Sequence, residues 1–195
     1  MTGDLFSTVP HDPVFPPGLS YVPGFLTADM QASLLTQIDA MPWNCELQRR
    51  VQHYGYRYDY KTRRIDDSMY LGVLPRFACE LTSLLERVPS YAQDSDQLIV
   101  NEYLPGQGIS AHVDCETCFN DRVAAISLGG ACEMELRELK TKRRVFVTLQ
   151  PGSLLAMTGD ARYRWSHQIR ARLRDDGIPR RRRVSLTFRK VLCLA

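Results

Sequence analysis

Residues 183–189 read RVSLTFR, and this stretch decides the fold that the sequence predicts. Its apolar side chains are Val184, Leu186 and Phe188, and its polar side chains are Arg183, Ser185, Thr187 and Arg189. Because side chains i and i+2 point to the same face of a strand, this strict alternation predicts a β-strand with one face in the core. The polar face either lies in water or lines an interior cavity.

Segments of similar β-type composition precede this strand, beginning near Gln97. Glycine, proline or charged residues separate eight segments in all: Leu98–Tyr103, Ile109–Val113, Val123–Leu128, Cys132–Leu136, Val145–Leu149, Ser153–Met157, Trp165–Ile169 and Arg183–Val191. Eight short strands with turn signals between them predict two packed sheets in a jelly-roll or cupin-like sandwich.

Two amphipathic helices are predicted ahead of the strands. The first follows a Thr27 cap and ends before Pro42, and the second begins at Pro75 and ends at Pro89. Their apolar faces are Met30, Leu34, Leu35, Ile38 and Met41 in the first, and Phe77, Leu81, Leu84, Leu85 and Val88 in the second. Residues 45–70 alternate aromatic and polar side chains, as a hairpin or an ordered loop would. Helices followed by strands predict an α+β fold in which the helices brace one sheet.

The composition is that of an ordinary globular protein, with 44% hydrophobic and 24% charged residues in a chain of 195. We expect a proline-rich flexible or extended lead-in at residues 1–18 and one compact domain at 19–195, whose strand-rich core begins at residue 96. No apolar run reaches the roughly 18 residues that cross a bilayer, and the N-terminus lacks a secretory pattern. We therefore expect a cytoplasmic monomer, or a nuclear one in a eukaryote, with reduced cysteines and no membrane contact.

A candidate metal site begins with His112 and Asp114, which flank a single residue. On a strand, the imidazole and the carboxylate would point to the same face and could meet one ion. The chain has four histidines, and His167 lies in a late predicted strand, where it could supply a third ligand. Two histidines and one carboxylate form the facial triad of non-haem Fe(II) oxygenases. The alternative is that these are ordinary hydrogen-bonded polar residues.

The polar face of residues 183–189 suggests an anion site. If it lines an interior cavity, Arg183 and Arg189 flank two hydroxyl groups and could each bind one end of a dicarboxylate. Buried arginines without an anion would be costly, so the interior placement requires a ligand.

In order and spacing, these motifs resemble the AlkB-type Fe(II)/2-oxoglutarate dioxygenases, from about Gly18 to the C-terminus. The matching parts are NEYLPG at 101–106, HVD at 112–114, PGSLL at 151–155, His167, and the strand at 183–189. The stretch MTGDARYRWSH at 157–167 is similar to the branch that contains the animal enzyme modifying tRNA wobble uridines, and bacterial AlkB-like proteins share similar features.

The resemblance implies a double-stranded β-helix core and a role for each motif. His112, Asp114 and His167 would bind Fe(II). Arg183 would bind the distal carboxylate of 2-oxoglutarate, Arg189 would lie near its keto-acid end, and Asn101 and Tyr103 would hydrogen-bond this cosubstrate. The family's reaction uses O2 to decarboxylate 2-oxoglutarate and hydroxylate a C–H bond, and a hydroxylated N-methyl group leaves as formaldehyde.

Residues 49–64, RRVQHYGYRYDYKTRR, are the candidate substrate-binding segment. Tyrosines recur there with period two among basic residues; tyrosine faces can stack on unpaired bases while arginines meet phosphates. By resemblance this segment belongs to a lid over the nucleotide, within residues 19–95. The predicted substrate-binding residues are Arg50, Tyr54, Tyr56, Arg57 and Tyr58. The alternative is that the tyrosines only pack a hairpin onto the sheet.

Three further features leave alternatives open. A second basic run, from Arg162 to Arg183, either steers polyanions or is a solvated face. Gln168 stands where the family usually has glycine and could narrow the site. Cys115 and Cys118 follow the HVD motif as loop residues open to oxidation; no second pair has zinc spacing.

The function that the sequence predicts is oxidative demethylation of alkylated bases in single-stranded DNA or RNA, with tRNA as a possible partner. The alternative enzyme uses the same machinery on tRNA modifications or on protein methyl-lysine. Two other classes remain: a catalytically silent RNA-binding module, and a redox sensor that uses Cys115 and Cys118.

Overall fold

A computed structural model of the protein describes residues 15–192. Its helices are α1 (Ala28–Asp39), α2 (Arg76–Leu85) and α3 (Gly159–Tyr163), with a 3-10 turn at Asp67–Met69. Its strands are β1 (Leu19–Val22), β2 (Val51–Tyr54), β3 (Gln97–Tyr103), β4 (Ile109–His112), β5 (Phe119–Gly129), β6 (Cys132–Glu138), β7 (Arg144–Leu149), β8 (Leu154–Met157), β9 (Trp165–Ile169), β10 (Arg174–Asp175), β11 (Ile178–Pro179) and β12 (Arg183–Val191).

The strands form two main sheets, as predicted. One has six strands in the order β1-β8-β5-β12-β3-β2, and the other has four in the order β4-β9-β6-β7. Neighbouring strands are antiparallel in both sheets. Strands β10 and β11 form a separate two-stranded antiparallel ribbon. The prediction of a double-stranded β-helix, or jelly-roll, braced by N-terminal helices is confirmed.

Both predicted helices pack on the outer face of the six-stranded sheet. Their buried side chains share one cluster with the apolar face of β12: Leu34, Ile38, Phe77, Leu81, Leu85, Val184, Leu186 and Phe188. Thr27 caps α1 by accepting a hydrogen bond from the amide of Met30. The prediction for Met41 is wrong, because α1 ends at Asp39 and Met41 is exposed. Within residues 15–192, no helix is long and apolar enough to cross a membrane.

Most of the predicted lead-in, residues 1–18, lies outside the described residues, but its last four residues contact the rest of the fold. Phe15 lies against the apolar cluster between the sheets, and the carbonyl of Pro17 accepts a hydrogen bond from Ala161. Gly18 has a φ of +85°, and a Cβ there would lie 2.1 Å from the Thr158 carbonyl oxygen. Residues 15–18 are therefore part of the fold, and the predicted flexibility is wrong for them.

Residues 45–70 form an ordered loop around one strand, the second of the two predicted alternatives. Only Val51–Tyr54 is strand, and it pairs with β3 at the edge of the six-stranded sheet. The following loop is tied by isolated bridges between Tyr56 and Tyr70 and between Asp59 and Arg64. The period-two pattern of the tyrosines therefore continues into the loop, past the end of the strand at Tyr54.

A cavity of about 610 Å³ lies between the two sheets. The polar face of β12 lines it, because the apolar face of the same strand is turned to the helices. Residues on β3, β4 and β9 line the cavity too, so its wall comes from both sheets. The interior alternative for the polar face of residues 183–189 is thus confirmed.

Candidate metal and cosubstrate site

His112 and His167 are brought together by strand pairing. They are register partners across β4 and β9, and their ring centroids are 4.3 Å apart. Nδ1 of His112 lies 2.8 Å from the Ser110 carbonyl oxygen. A carbonyl only accepts, so Nδ1 carries the proton and Nε2 is left as the electron-pair donor that a metal needs.

Asp114 completes a group of three potential ligands. One ligand atom from each of His112, Asp114 and His167 lies within 4.8 Å of the others. The prediction that a continuous strand aligns His112 with Asp114 is wrong, because β4 ends at His112 and its pairing is irregular. The carboxylate is held instead by Arg189, whose Nη2 donates to Oδ1 over 2.7 Å.

The pKa shifts of Asp114 and His167 favour the forms of these two groups that bind metals. Burial alone would raise the pKa of the Asp114 carboxyl, but the charge of Arg189, with smaller effects of the two imidazoles, lowers it well below its usual range. Burial, followed by the proximity of His112, lowers the pKa of His167 to about 3. At neutral pH the site thus presents an ionised carboxylate and a neutral imidazole, which are the protonation states that bind metals.

The far end of the cavity contains a partly satisfied arginine. Arg183 is buried and donates from Nη2 to the hydroxyls of Ser127 and Ser185, at 2.9 and 3.2 Å. Its guanidinium carbon lies 5.4 Å from the Tyr103 ring centroid. Nε and Nη1 have no hydrogen-bond partner among the described residues.

Asn101 and Tyr103, on β3, line the same cavity. The side-chain oxygen of Asn101 accepts a hydrogen bond of 2.8 Å from Nε of Arg49. Tyr103 is buried, and burial raises the pKa of its phenol, so the hydroxyl stays protonated and can donate. Both side chains line the cavity that contains the potential metal ligands, and their contacts with the cosubstrate stay a prediction.

A family model described as the 2OG-Fe(II) oxygenase superfamily matches residues 18–189. The chain belongs to this superfamily. Its enzymes use Fe(II), 2-oxoglutarate and O2, which confirms the predicted cofactors.

Relatives of this oxygenase include proteins named as AlkB homologues. An Arabidopsis thaliana protein named alkylated DNA repair protein ALKBH8 homolog is 37% identical over 90% of this chain and 58% of its own length. The Xenopus tropicalis tRNA (carboxymethyluridine(34)-5-O)-methyltransferase alkbh8 is 36% identical over 82% of this chain but only 26% of its own length. The solved structure of OsALKBH1 has a TM-score of 0.67 at 20% identity, covering 90% of this chain and 98% of that one. This structure supports the fold.

The interior of the oxygenase fits iron and a dicarboxylate. Four buried atoms of the described cavity-lining residues have no hydrogen-bond partner: Oδ2 of Asp114, Nε and Nη1 of Arg183, and Nε of Arg189. An unsatisfied carboxylate oxygen between two imidazoles matches the ligand set of a non-haem iron site. Unsatisfied guanidinium donors match a carboxylate, which would offset their desolvation.

Only one of the five predicted substrate-binding residues, Tyr58, lines the cavity of the oxygenase. Tyr54 faces the helices, where its ring packs on Phe77. Arg50 is paired with the buried carboxylate of Glu102. Arg50 and Tyr54 already contact the protein and do not line the cavity, so their substrate contacts stay a prediction.

Tyr56 and Arg57 also lie outside the cavity lining. The Tyr56 ring is 5.1 Å from that of Tyr70, and Arg57 forms an exposed ion pair with Glu46. Arg49, Tyr60 and Arg63, which the prediction left out of the substrate-binding set, line the cavity instead. The sequence indicates these three residues only because they belong to the same basic and aromatic stretch. The period-two pattern does not distinguish them from neighbouring residues that lie outside the cavity.

Two departures from the family pattern turn out differently from expectation. Gln168 does not narrow the cavity, because it points away from it and donates to Glu135 over 3.0 Å on the other face of the sheet. Cys115 and Cys118 form a disulfide, so the prediction of reduced cysteines is wrong for this pair. Three residues in a turn bring their Cα atoms within 5.3 Å, a distance that a disulfide spans.

Proposed function

We propose that the protein oxidises an alkyl group on a base of single-stranded DNA or RNA. The observation that carries the proposal is the shared cavity. The potential iron ligands lie in it, and Arg49, Tyr58, Tyr60 and Arg63, which we term the rim, belong to the same lining. Aromatic faces stack on bases and guanidinium groups bind phosphates, so this rim suits an unpaired nucleotide.

In this proposal the residues have distinct roles. His112, Asp114 and His167 hold Fe(II), which supplies the activation of O2 that couples decarboxylation of 2-oxoglutarate to oxidation of a C–H bond. Arg183 binds the distal carboxylate of 2-oxoglutarate with its free donors. Asn101 and Tyr103 donate to the cosubstrate, and Arg189 keeps the carboxylate of Asp114 ionised and oriented.

The walls of the cavity require the base to leave its stack. A base inside a duplex cannot reach atoms that lie between two sheets, and extrusion costs least when the strand is already unpaired. When the oxidised carbon is an N-methyl group, O2 and 2-oxoglutarate give succinate, CO2 and a hydroxymethyl amine. Its C–N bond then breaks, and formaldehyde leaves while the nitrogen takes the proton of the hydroxyl group.

The rim has a suitable charge for this partner. Within residues 15–192, no carboxylate lies within 4.0 Å of the guanidinium groups of Arg49 and Arg63. Arg49 contacts an amide oxygen, and Arg63 contacts the Val113 carbonyl oxygen at 3.4 Å. Both cations therefore retain their charge for a phosphate.

The test is a substrate panel of methylated DNA, RNA and lysine peptides with Fe(II), 2-oxoglutarate and O2. We expect succinate and formaldehyde together with an oligonucleotide that has lost a methyl group. An Asp114→Ala variant is the control, and it should neither bind iron nor turn over. Oxidation of the peptides alone would contradict the proposal, and absence of succinate under all conditions would favour a silent RNA-binding module.

A second candidate function is oxidation of a modified uridine in tRNA. It is favoured by the name of the Xenopus relative, a tRNA (carboxymethyluridine(34)-5-O)-methyltransferase, although the chain covers only 26% of that protein. The same residues would perform it, since only the position of the C–H bond differs. Total tRNA as substrate separates the two: this reaction adds one oxygen atom to a nucleoside and releases no formaldehyde.

A further inference from the structure

The three potential iron ligands are not held in the same way. His112 and His167 belong to paired strands, so the sheet fixes their backbones. Asp114 lies beyond the end of β4, in a loop that no strand pairing orders. Arg189 holds its side chain, but the direction of that side chain also depends on the peptide that carries it.

Arg162 holds this peptide. Its Nη1 donates to the carbonyl oxygen of Asp114 over 2.9 Å, and its Nη2 donates to that of Cys115 over 3.0 Å. The side chain is among the most completely buried in the protein, with 2% exposure. No carboxylate within residues 15–192 forms an ion pair with it. A buried guanidinium without a counter-ion is costly, so its retention requires a compensating role.

The backbone that carries Arg162 is itself anchored. Arg162 lies in α3, whose first residue, Gly159, donates its amide hydrogen to Oδ1 of Asp121 on β5 over 2.9 Å. The amide of Ala161 donates to Pro17, and that of Thr158 donates to Gly18. These bonds fix the short helix to the end of β5 and to the chain before β1, so Arg162 approaches the loop from a rigid base.

We propose that Arg162 is a positioning residue for the iron site. Its two parallel donors fix two successive carbonyl oxygens, and this contact keeps the Asp114 carboxylate directed at the point where His112 and His167 converge. The inference rests on the proposed role of Asp114 as a ligand. It goes beyond that role, because Arg162 contacts neither the ion nor the cosubstrate.

The positioning role depends on the two parallel N–H donors of the Arg162 guanidinium group rather than on its charge. Lysine at position 162 would keep the positive charge, but a single nitrogen cannot reproduce two donors in a fixed plane. Methionine would fill much of the space and remove both. If charge near Asp114 were sufficient, Arg162→Lys would behave like the unmodified protein.

The experiment is a Co(II) titration of the metal-free protein, followed by ligand-field absorption and without any turnover. We expect Arg162→Met to raise the dissociation constant by about 10- to 100-fold, the range found when groups that orient metal ligands are removed. Arg162→Lys should also lose affinity and change the intensity of the absorption bands. Circular dichroism of each metal-free variant verifies folding, and if Arg162→Met is unfolded, Arg162→Lys alone decides the test.

Two controls separate the possible failures. Arg164→Met alters the end of the same helix, where Arg164 forms an exposed ion pair with Asp160, and it should leave Co(II) affinity unchanged. Asp114→Asn should abolish binding. Wild-type affinity and spectrum in the folded Arg162 variants would overturn the positioning role alone. Failure of the unmodified protein to bind Co(II), or full binding by Asp114→Asn, would instead overturn the proposed iron site.

Discussion

The two arginine-rich stretches of this protein look alike in sequence and differ in the fold. In the C-terminal stretch, residues 162–183, the carboxylates of Glu133, Glu135 and Asp175 pair with Arg172, Arg170 and Arg180. In the N-terminal stretch, residues 49–64, Arg49 and Arg63 reach the cavity rim without a carboxylate partner among the described residues. The first stretch is largely neutralised, whereas in the second Arg49 and Arg63 keep unpaired charges where a phosphate could meet them.

The charge that a basic run presents to a ligand depends on which of its arginines pair with carboxylates. The neutralising residues Glu133 and Glu135 lie more than thirty positions before the arginines they pair with, on a neighbouring strand. Composition alone therefore assigned similar steering power to both runs. The paired arginines stabilise the sheet and ribbon, and the free ones are the candidates for substrate binding.

The largest expected effect comes from breaking the neutralised stretch at Asp175. Arg180, whose side chain is 5% exposed, would lose its carboxylate, as would Arg172. We expect Asp175→Asn to lower the free energy of unfolding by about 3 kcal/mol, the lower end of the range for a broken buried pair. Urea unfolding measures it. The exposed neighbour variant, Asp176→Asn, should change it by less than about 0.5 kcal/mol, and equal effects would contradict the assigned role.

The same carboxylate predicts a pH dependence. Burial alone would raise the pKa of Asp175, but hydrogen bonds from Arg180, the Glu133 amide and Arg172 lower it to about 2. Since the pKa in the unfolded chain is about 3.9, its stabilisation is complete above about pH 4 and is lost as the pH falls toward 2. The difference in unfolding free energy between the wild type and Asp175→Asn should shrink across this window. A constant difference would show that the carboxylate charge is not what stabilises.

A smaller effect should separate the tyrosines of the N-terminal stretch. Tyr60 lines the cavity, so Tyr60→Leu should weaken binding of an unpaired RNA oligonucleotide by about 1 to 2 kcal/mol through lost stacking. Tyr54 packs on Phe77, so Tyr54→Leu should lower stability and leave the affinity of the folded protein unchanged. Fluorescence anisotropy and urea unfolding measure the two quantities. The reverse pattern would restore Tyr54 as a substrate contact.

A weaker effect is expected on the salt dependence of binding. If Arg63 meets one phosphate, Arg63→Ala should reduce the slope of log affinity against log salt by about 0.7, the value for one contact with a single strand. Arg181 is an exposed arginine of the C-terminal stretch and is the matched control. Arg181→Ala should leave the slope unchanged. Equal changes in both variants would mean that the field is diffuse and that the two stretches do not differ in function.

The smallest effect is predicted for Arg57. Its pair with Glu46 is 3.4 Å long and exposed on both sides, so Arg57→Ala should change the free energy of unfolding by less than about 0.5 kcal/mol. It should also leave oligonucleotide affinity unchanged, because Arg57 is not part of the cavity lining. A loss of affinity comparable to that of Arg63→Ala would extend the binding surface beyond the rim.

Different signals predicted different parts of the fold. The two helices follow from their apolar stripes, seven of the predicted strands follow from β-type composition between turn signals, and β12 follows from its alternation. The polar face of β12 follows because its arginines and hydroxyls share one side. The same rule would have placed Gln168 outside the cavity, since it neighbours His167 on a strand. The short strands β1 and β2 carry too few residues for a pattern to stand out.

The sequence allowed the metal ligands to be predicted, but not the residues that position them. Residue type and spacing made His112, Asp114 and His167 candidates, and the family resemblance assigned them as ligands. The fold brings the three together. The hydrogen bond from Arg162 to the Asp114 carbonyl oxygen joins residues 48 positions apart. Its acceptor is a backbone atom, which every residue has, so the sequence does not indicate this contact. The period of two did not indicate which tyrosines line the cavity, because it continues past Tyr54, where β2 ends.

The position of β12 has a consequence for biosynthesis. This strand lies between β5 and β3, so one edge of each of these strands stays unpaired until residues 183–191 have been synthesised. A nascent chain emerging from the ribosome would expose two long apolar edges until translation passes that point, and such edges favour aggregation. Slow codons or chaperone binding upstream of residue 183 would consequently affect yield more than they affect the finished enzyme.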